Sequence, residues 1–513
     1  MITLLDDMNQ RRLAILNLLV HETEWVTVGE IAQRIGASER TVQSDLTQMK
    51  NEWDARLCIE VSLKNGVLLG CRSSTVVHTA FMDAFKQSIA LRFLRDLVLA
   101  PSQNLDFYIS KLFISKSTFL RLLPKIEEYL GKIQIRIDKT GGKYKLCGEN
   151  EQHMRKLLAE FYLEVHSECF TNRSVHMELR FASYSIPVNL ERVFDIVRAM
   201  IAQIQSSERA KLLIKDELAI SEMSSFLLCS LLRENQGVHI DCPAQPTGDI
   251  RLEDFQYLHS IFPAIKTEHI RPIQEFFAEV ILEPKSAELA ASVQYEALTF
   301  YHRLFQQMNI SCSPVILRKL QTMLCLLYSY VSACPLSLDG LPKRLSSFSA
   351  SLATDNPCLY EAISSGLSTF SEHLNVDMTP ILPEFIMKIC FYFPDISRAT
   401  LRKSLLVVSD SGLYHARFLA DFIRSLFNGS TFSVLDIHSI SLDAFRSPAF
   451  AQQCAQYYHI LVTTTAAIPH QQLFQKVIMI EDFPSNESVW ELHEVIYHSG
   501  GDAIYHLPHG TSR

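Results

Sequence analysis

Residues 31–50 read IAQRIGASERTVQSDLTQMK, a small-residue turn followed by a helix whose outer face is almost wholly polar. Gly36 suits the corner, because glycine takes positive φ without a Cβ clash. Ser38 follows as a side-chain N-cap, and Val42, Leu46, Met49 and Trp53 recur at helical spacing on one face. Upstream, QRRLAILNLLVHE sets Leu13, Leu16, Leu19 and Val20 on one helical stripe, and a second helix is expected from Val28 to Ile35. Downstream, LCIEVSLKNGVLLGC alternates at Ile59, Val61 and Leu63, and its Asn65-Gly66 pair predicts a two-residue hairpin turn. Three helices and a hairpin make a winged helix-turn-helix.

The same grammar returns 77 residues later, with Ser38 and Thr41 matched by Ser115 and Thr118, and Leu46, Met49 and Trp53 by Leu123, Ile126 and Leu130. The hairpin recurs as IQIRIDKTGGKYKLCG. A repeat in both helix and hairpin is far less expected by chance than either alone. In the second copy Pro124 falls inside the reading-helix pattern, where its missing N–H predicts a kinked or ended helix.

In such a unit the helix after the turn enters the major groove, its first residues nearest the base edges, while neighbouring cations hold phosphates. The outward positions are Glu39, Arg40, Gln43, Ser44, Thr47 and Lys50. Arginine bonds bidentately to guanine and glutamine to adenine, so Arg40 and Gln43 are the candidate base readers. Ser44, Thr47 and Lys50 are candidates for the backbone, with Lys64 and Asn65 at the wing tip reaching an adjacent phosphate. Lys116, Ser117 and Arg121 offer supporting contacts from the second copy. One such face alone suits a solvated protein-interaction module as well as DNA. Two in tandem favour double-stranded DNA, because modest phosphate contacts sum across modules.

The 513 residues imply three to five domains, and 48% hydrophobic with 20% charged residues is ordinary for a globular chain. No apolar run approaches the ~18 residues of a membrane span, so no membrane partner is expected. MITLLDDMNQRR is acidic where a secretory signal would be positive, which points to the cytoplasm. Twelve cysteines without a CxxC pair suit reduced packing thiols. Residues 1–150 hold 20 Lys+Arg against 17 Asp+Glu, a balance of +3, and the other 363 hold 28 against 39, or −11. A basic front on an acidic body permits nucleic acid without requiring it.

From about 150 to 395 the pattern is helical with few strand signals, broken at DCPAQPTGD (241–249) and ILEPKSAE (281–288). From 403 buried strands (SLLVV, FSVLDI, HILVTTT, KVIMIEDF) alternate with helices, including Leu413 to Phe427, as in a doubly wound α/β domain. HEVIYH (493–498) spaces its histidines at i and i+5, too far round a helix for a zinc protease site, and the SDSG loop (409–412) lacks the glycines and lysine of a phosphate loop. No catalytic constellation is legible, so neither enzyme activity nor a cofactor or metal is expected.

In its domain order the chain resembles the Mga family of virulence regulators of Gram-positive bacteria, including the AtxA-like members. The residues that carry this are VTVGEIAQRIGASERTVQSDL, LFISKSTFLRLLPKIEEYL and KSLLVVSDSGLYHARFL. The resemblance implies a transcriptional activator of mainly α, multidomain fold. Its winged helices would span 1–72 and 73–150, two all-α PRD-like bundles 151–284 and 285–398, and an EIIB-like α/β domain 399–513. It also implies histidine phosphorylation in the bundles by a phosphocarrier protein of the sugar phosphotransferase system, with His176, His302 and His373 as candidates, and a homodimer built by the last domain. A phosphocarrier component and an RNA-binding antiterminator are the competing readings. The first is disfavoured because SDSG holds no cysteine and Cys454 falls on a later helix, the second because the winged helices are paired.

Overall fold

Capping chemistry sets the first three helices, α1 (Asp7–Val20), α2 (Val28–Ile35) and α3 (Glu39–Leu57). The Thr27 hydroxyl accepts from the Glu30 N–H while the Glu30 carboxylate accepts from the Thr27 N–H at 2.9 Å, a reciprocal box that lowers the Glu30 pKa. Gly36 ends α2 at φ 68°, and Ser38 starts α3 by accepting the Thr41 N–H at 3.1 Å. Val42, Leu46, Met49 and Trp53 are all buried as their spacing predicts, each worth about 1.5–3 kcal/mol.

The hairpin pairs β1 (Ile59–Ser62) with β2 (Gly66–Leu69), Ser62 opposite Gly66, so three residues rather than the expected two form its tip. The cause is a third strand segment that the sequence reading missed. Val26 bridges Val67 through hydrogen bonds of 2.9 and 2.8 Å, which draws Gly66 into the ladder at φ 103°. A Cβ there would lie 2.2 Å from the Val26 carbonyl oxygen, so only glycine fits. Ile59 is buried, but Val61 faces solvent, and Leu63 lies outside the described residues. This computed structural model describes residues 1–498 apart from 21, 23, 63, 72–73, 172–176, 181–184, 205–207, 241–249, 285, 339–340, 342, 401–402, 429–433 and 467.

After α4 (Ser74–Gln87), the second unit runs α5 (Ile89–Leu99), β3 (Gln103–Asn104), α6 (Leu105–Leu112), α7 (Lys116–Lys132), β4 (Ile135–Asp138) and β5 (Lys143–Gly148). The 77-residue shift carries α2 onto α6 and the Val26–Val67 bridge onto the Gln103–Tyr144 pairing. Contrary to the expectation from Pro124, α7 neither ends nor breaks there but continues to Lys132. Pro124 and Leu120 sit on the exposed side of the helix, where solvent can satisfy the Leu120 carbonyl that loses its partner.

By contact density the chain divides into two compact units, Met1–Ala290 with Cys325–Ser347, and Ala291–Leu324 with Phe348–Arg513. Beyond the winged helices the first unit contains α8 (Glu151–Val165), α9 (Ser167–Thr171), α10 (Leu190–Gln203), α11 (Glu208–Ile214), α12 (Glu217–Asn235), α13 (Leu252–Ile261) and α14 (Arg271–Ile281). Against the helical expectation it also holds a hairpin of β6 (Met177–Arg180) and β7 (Ser185–Val188), which buries Met177, Leu179 and Val188. Residues 325–347 are tied to α8 because the Lys156 ammonium donates to the Cys334 and Leu336 carbonyls at 3.2 and 2.8 Å, and Lys343 pairs with Glu160 at 2.7 Å.

In the second unit, strands β8 (Lys403–Ser409), β9 (Leu435–Ser441), β10 (Ile460–Thr463) and β11 (Lys476–Met479) form one parallel sheet of order β11-β10-β8-β9. Leu405 and Val407 pack towards the helices Leu413–Phe427 and Asn486–His498, while Leu406 and Val408 pack towards the helix Pro448–Tyr457 on the opposite face. Both faces are covered, as the uninterrupted apolar strands imply. Among the described residues no helix is long and apolar enough to cross a membrane.

Candidate nucleic-acid interface

The reading helix of the first winged unit is held from behind. Arg11 on α1 places its Nε 2.9 Å from the Asp45 carboxylate, and Arg12 pairs with Glu52 at 3.2 Å and with the Gln48 side chain. Asp45 and Arg12 are buried, so these contacts form a polar seam between α1 and α3. Arg11 and Arg12 are thus both held in ion pairs that join α1 to α3. The fold spends both on orienting α3, and they act as positioning residues.

With that side fixed, α3 presents Arg40, Gln43, Ser44, Thr47 and Lys50, all exposed, opposite its buried stripe. The Thr47 hydroxyl donates to the Gln43 carbonyl at 2.8 Å. Lys64 and Asn65 are exposed at the wing tip, which the Ser62 hydroxyl shapes by accepting their N–H groups at 3.3 and 3.2 Å. Arg40, Lys50 and Lys64 enter no ion pair among the described residues, so their charge is available to an external anion. All seven sequence-derived candidates of this unit thus lie exposed on the reading helix and wing of one small frame. Chemically it offers bidentate donors for base edges and isolated cations for phosphates.

The second unit differs. Lys116, Ser117 and Arg121 are exposed on α7, but the Ser117 hydroxyl lies 2.8 Å from that of the cap Ser115. Arg121 and Lys125 line a groove of about 400 Å³ whose other walls include Asp6 and Asp7, a neighbouring acidity the sequence pattern did not reveal. Where the first unit has Lys50, the second has Glu127, paired with Lys139 at 2.8 Å. At its wing, hydrogen bonds from Thr140 lower the Asp138 pKa, and Lys145 pairs with the same carboxylate at 3.4 Å.

The histidine candidates are scattered. His176 lies outside the described residues, His302 is exposed on the helix Ala287–Gln307, and His373, also exposed, places Nδ1 2.8 Å from Glu296. A separate cluster, Glu234, His239 and His269, gathers within 4.8 Å. Its buried carboxylate already bonds Arg155 and His239 at 2.6 Å each, and His269 Nδ1 accepts the Lys266 N–H at 3.1 Å. Arg155 and His239 compensate the charge of the buried carboxylate, so the cluster reads as a charge-compensating knot. The end of β8 and the loop after it carry Ser409 and Asp410, bonded to His415 and Thr464 at 2.8 Å each, and no thiol; Cys454 is buried, its pKa raised by desolvation.

Two family descriptions match this region: an M protein trans-acting positive regulator (MGA) HTH domain at residues 9–62, and an Mga helix-turn-helix domain at 74–162. The chain is 22% identical over 187 residues to the capsule synthesis positive regulator AcpA of Bacillus anthracis, covering 36% of this chain and 38% of the relative. A putative trans-acting regulator of Streptococcus pneumoniae is 24% identical over 195 residues, 36% of this chain and 39% of that protein. The capsule synthesis positive regulator AcpB of Bacillus anthracis is 22% identical over 130 residues, 25% and 27% respectively. The chain thus spans less than two fifths of the length of these curated relatives.

Proposed function

We propose that this chain, which belongs to the Mga family of regulators, is a transcriptional activator that reads double-stranded DNA with its first winged helix. The observation that carries the reading is the single exposed surface of Arg40, Gln43, Ser44, Thr47, Lys50, Lys64 and Asn65. Arg40 and Gln43 contact base edges and the others hold the backbone, while Lys116, Ser117 and Arg121 add phosphate contacts from the second unit. The sign of regulation follows the relatives' description as positive regulators.

The remaining parts of the proposal rest on the family resemblance. The helical segments after residue 150 act as PRD-like sensors phosphorylated on histidines such as His302 or His373, and the C-terminal sheet domain is EIIB-like and builds a homodimer. The exposed His373 and the thiol-free loop after β8 support a receiver of phosphate over a carrier.

Binding of the full chain to selected duplexes tests the interface. Arg40→Ala and Gln43→Ala are each expected to cost about 1–3 kcal/mol and to relax preference at one base pair. Lys50→Ala should weaken all sequences alike and reduce the salt slope by about one. Unchanged affinity and base preference in both Arg40→Ala and Gln43→Ala would remove this surface from consideration.

A further inference from the structure

The 77-residue correspondence places Phe113 where the first unit has Gly36, and Leu120 where it has the base-reading candidate Gln43. Both turn residues are left-handed, Gly36 at φ 68° and Phe113 at φ 57°. Glycine adopts that conformation freely, whereas a side chain with a Cβ is strained there. Phe113 is also 88% exposed, so its ring adds nothing to the core. The second unit therefore keeps a residue unfavourable on two separate counts at a position where glycine demonstrably serves. Leu120, 49% exposed, adds a second apolar group on α7, the helix that follows the turn.

The same unit carries Lys116, Arg121, Lys125 and Lys143, which enter no ion pair among the described residues; Glu127 and Glu128 are paired with Lys139 and Lys132 at 2.8 and 3.1 Å, and Asp6 and Asp7 share a groove with Arg121 and Lys125. Exposed apolar groups on a unit with unpaired cations complement a polyanion that also offers methyl groups, and duplex DNA does so through the thymine C5-methyl in the major groove. We infer that Phe113 and Leu120 form an apolar reading pair for thymine methyl groups, giving the second winged helix a sequence preference by contact instead of by hydrogen bonding. The inference rests on the reading that the second unit docks on duplex DNA.

The test uses the full-length chain and the duplex it selects from a randomised library, with each thymine replaced in turn by deoxyuridine, which removes only the methyl. The wild-type chain is expected to lose about fourfold in affinity at one or two positions. Phe113→Gly and Leu120→Gln should bind the thymine and uracil forms of those positions equally, and Phe113→Gly, relieved of strain, should melt no lower than wild type. Indifference of the wild type to uracil at every position, or sensitivity retained in both variants, overturns the inference. The double variant Lys116→Ala, Arg121→Ala separates the two levels. If it weakens binding while uracil has no effect, the second unit docks but does not read methyls; if it changes nothing, the docking itself fails and the inference falls with it.

Discussion

The two winged helices share one backbone plan and fill it with different chemistry. Leu16, Ile31, Val42 and Val67 meet in the core of the first; the positions 77 residues on are Phe93, Tyr108, Phe119 and Tyr144, all buried and stacked edge-to-face at centroid distances of 4.9 to 6.1 Å. The larger rings bring a polar handle, and Tyr108 donates its hydroxyl to the Ala100 carbonyl at 2.7 Å. The outer faces differ in the opposite sense, polar readers in the first and Ser117 with Leu120 in the second. A fold set by turn positions, caps and apolar spacing tolerates exchange of its packing and of its surface, so long as each core keeps its own volume.

The largest expected effect tests the cores. Phe119→Ala should cost about 4 kcal/mol and Val42→Ala about 2 kcal/mol in chemical denaturation of the full chain, because the aromatic site leaves the larger cavity. Equal losses would mean the two cores relax alike. Next comes the polar seam, which the first unit uses to orient α3: Arg11→Ala leaves the buried Asp45 carboxylate unpaired and should cost about 3 kcal/mol, with weaker DNA binding in proportion to the fraction unfolded or tilted.

Acid sharpens the contrast from the other side. His166, at the end of α8, is pushed down to about 4 by burial first and by Arg95 on α5 and Lys86 on α4 next. Below pH 6.5 the unfolded histidine binds the proton and the folded one does not, so this neutral ring's contribution is complete above pH 6.5 and is lost as pH falls towards 4. Between pH 7.5 and 5 the loss should be about 2 kcal/mol, and His166→Phe should flatten that part of the pH profile. The smallest effect concerns the turns. Gly36→Ala should destabilise the first unit by about 1 kcal/mol and Phe113→Gly should stabilise the second by up to about 1 kcal/mol, both read as shifts in denaturation midpoint.

Much of this was determined by sequence alone. Val28–Ile35, whose cap and apolar stripe agree, and Leu413–Phe427, marked by its apolar stripe alone, run between the residues their pattern predicts, and the buried strands of the C-terminal sheet were legible as short apolar runs. These are local signals, carried within one element. What the tertiary structure decided is pairing. Val26 and Gln103–Asn104 are too short to announce themselves as strands and exist because a partner ladder passes beside them, which also makes the first wing's tip three residues long. Pro124 sits inside a helix because packing of Phe119, Leu123 and Ile126 outweighs one missing hydrogen bond on a solvent-facing side. Charge is the sharpest case: a cation in a sequence carries no record of its partner, and only the folded chain separates Arg11 and Arg12, consumed inside, from Arg40, Lys50 and Lys64, left free to meet an anion.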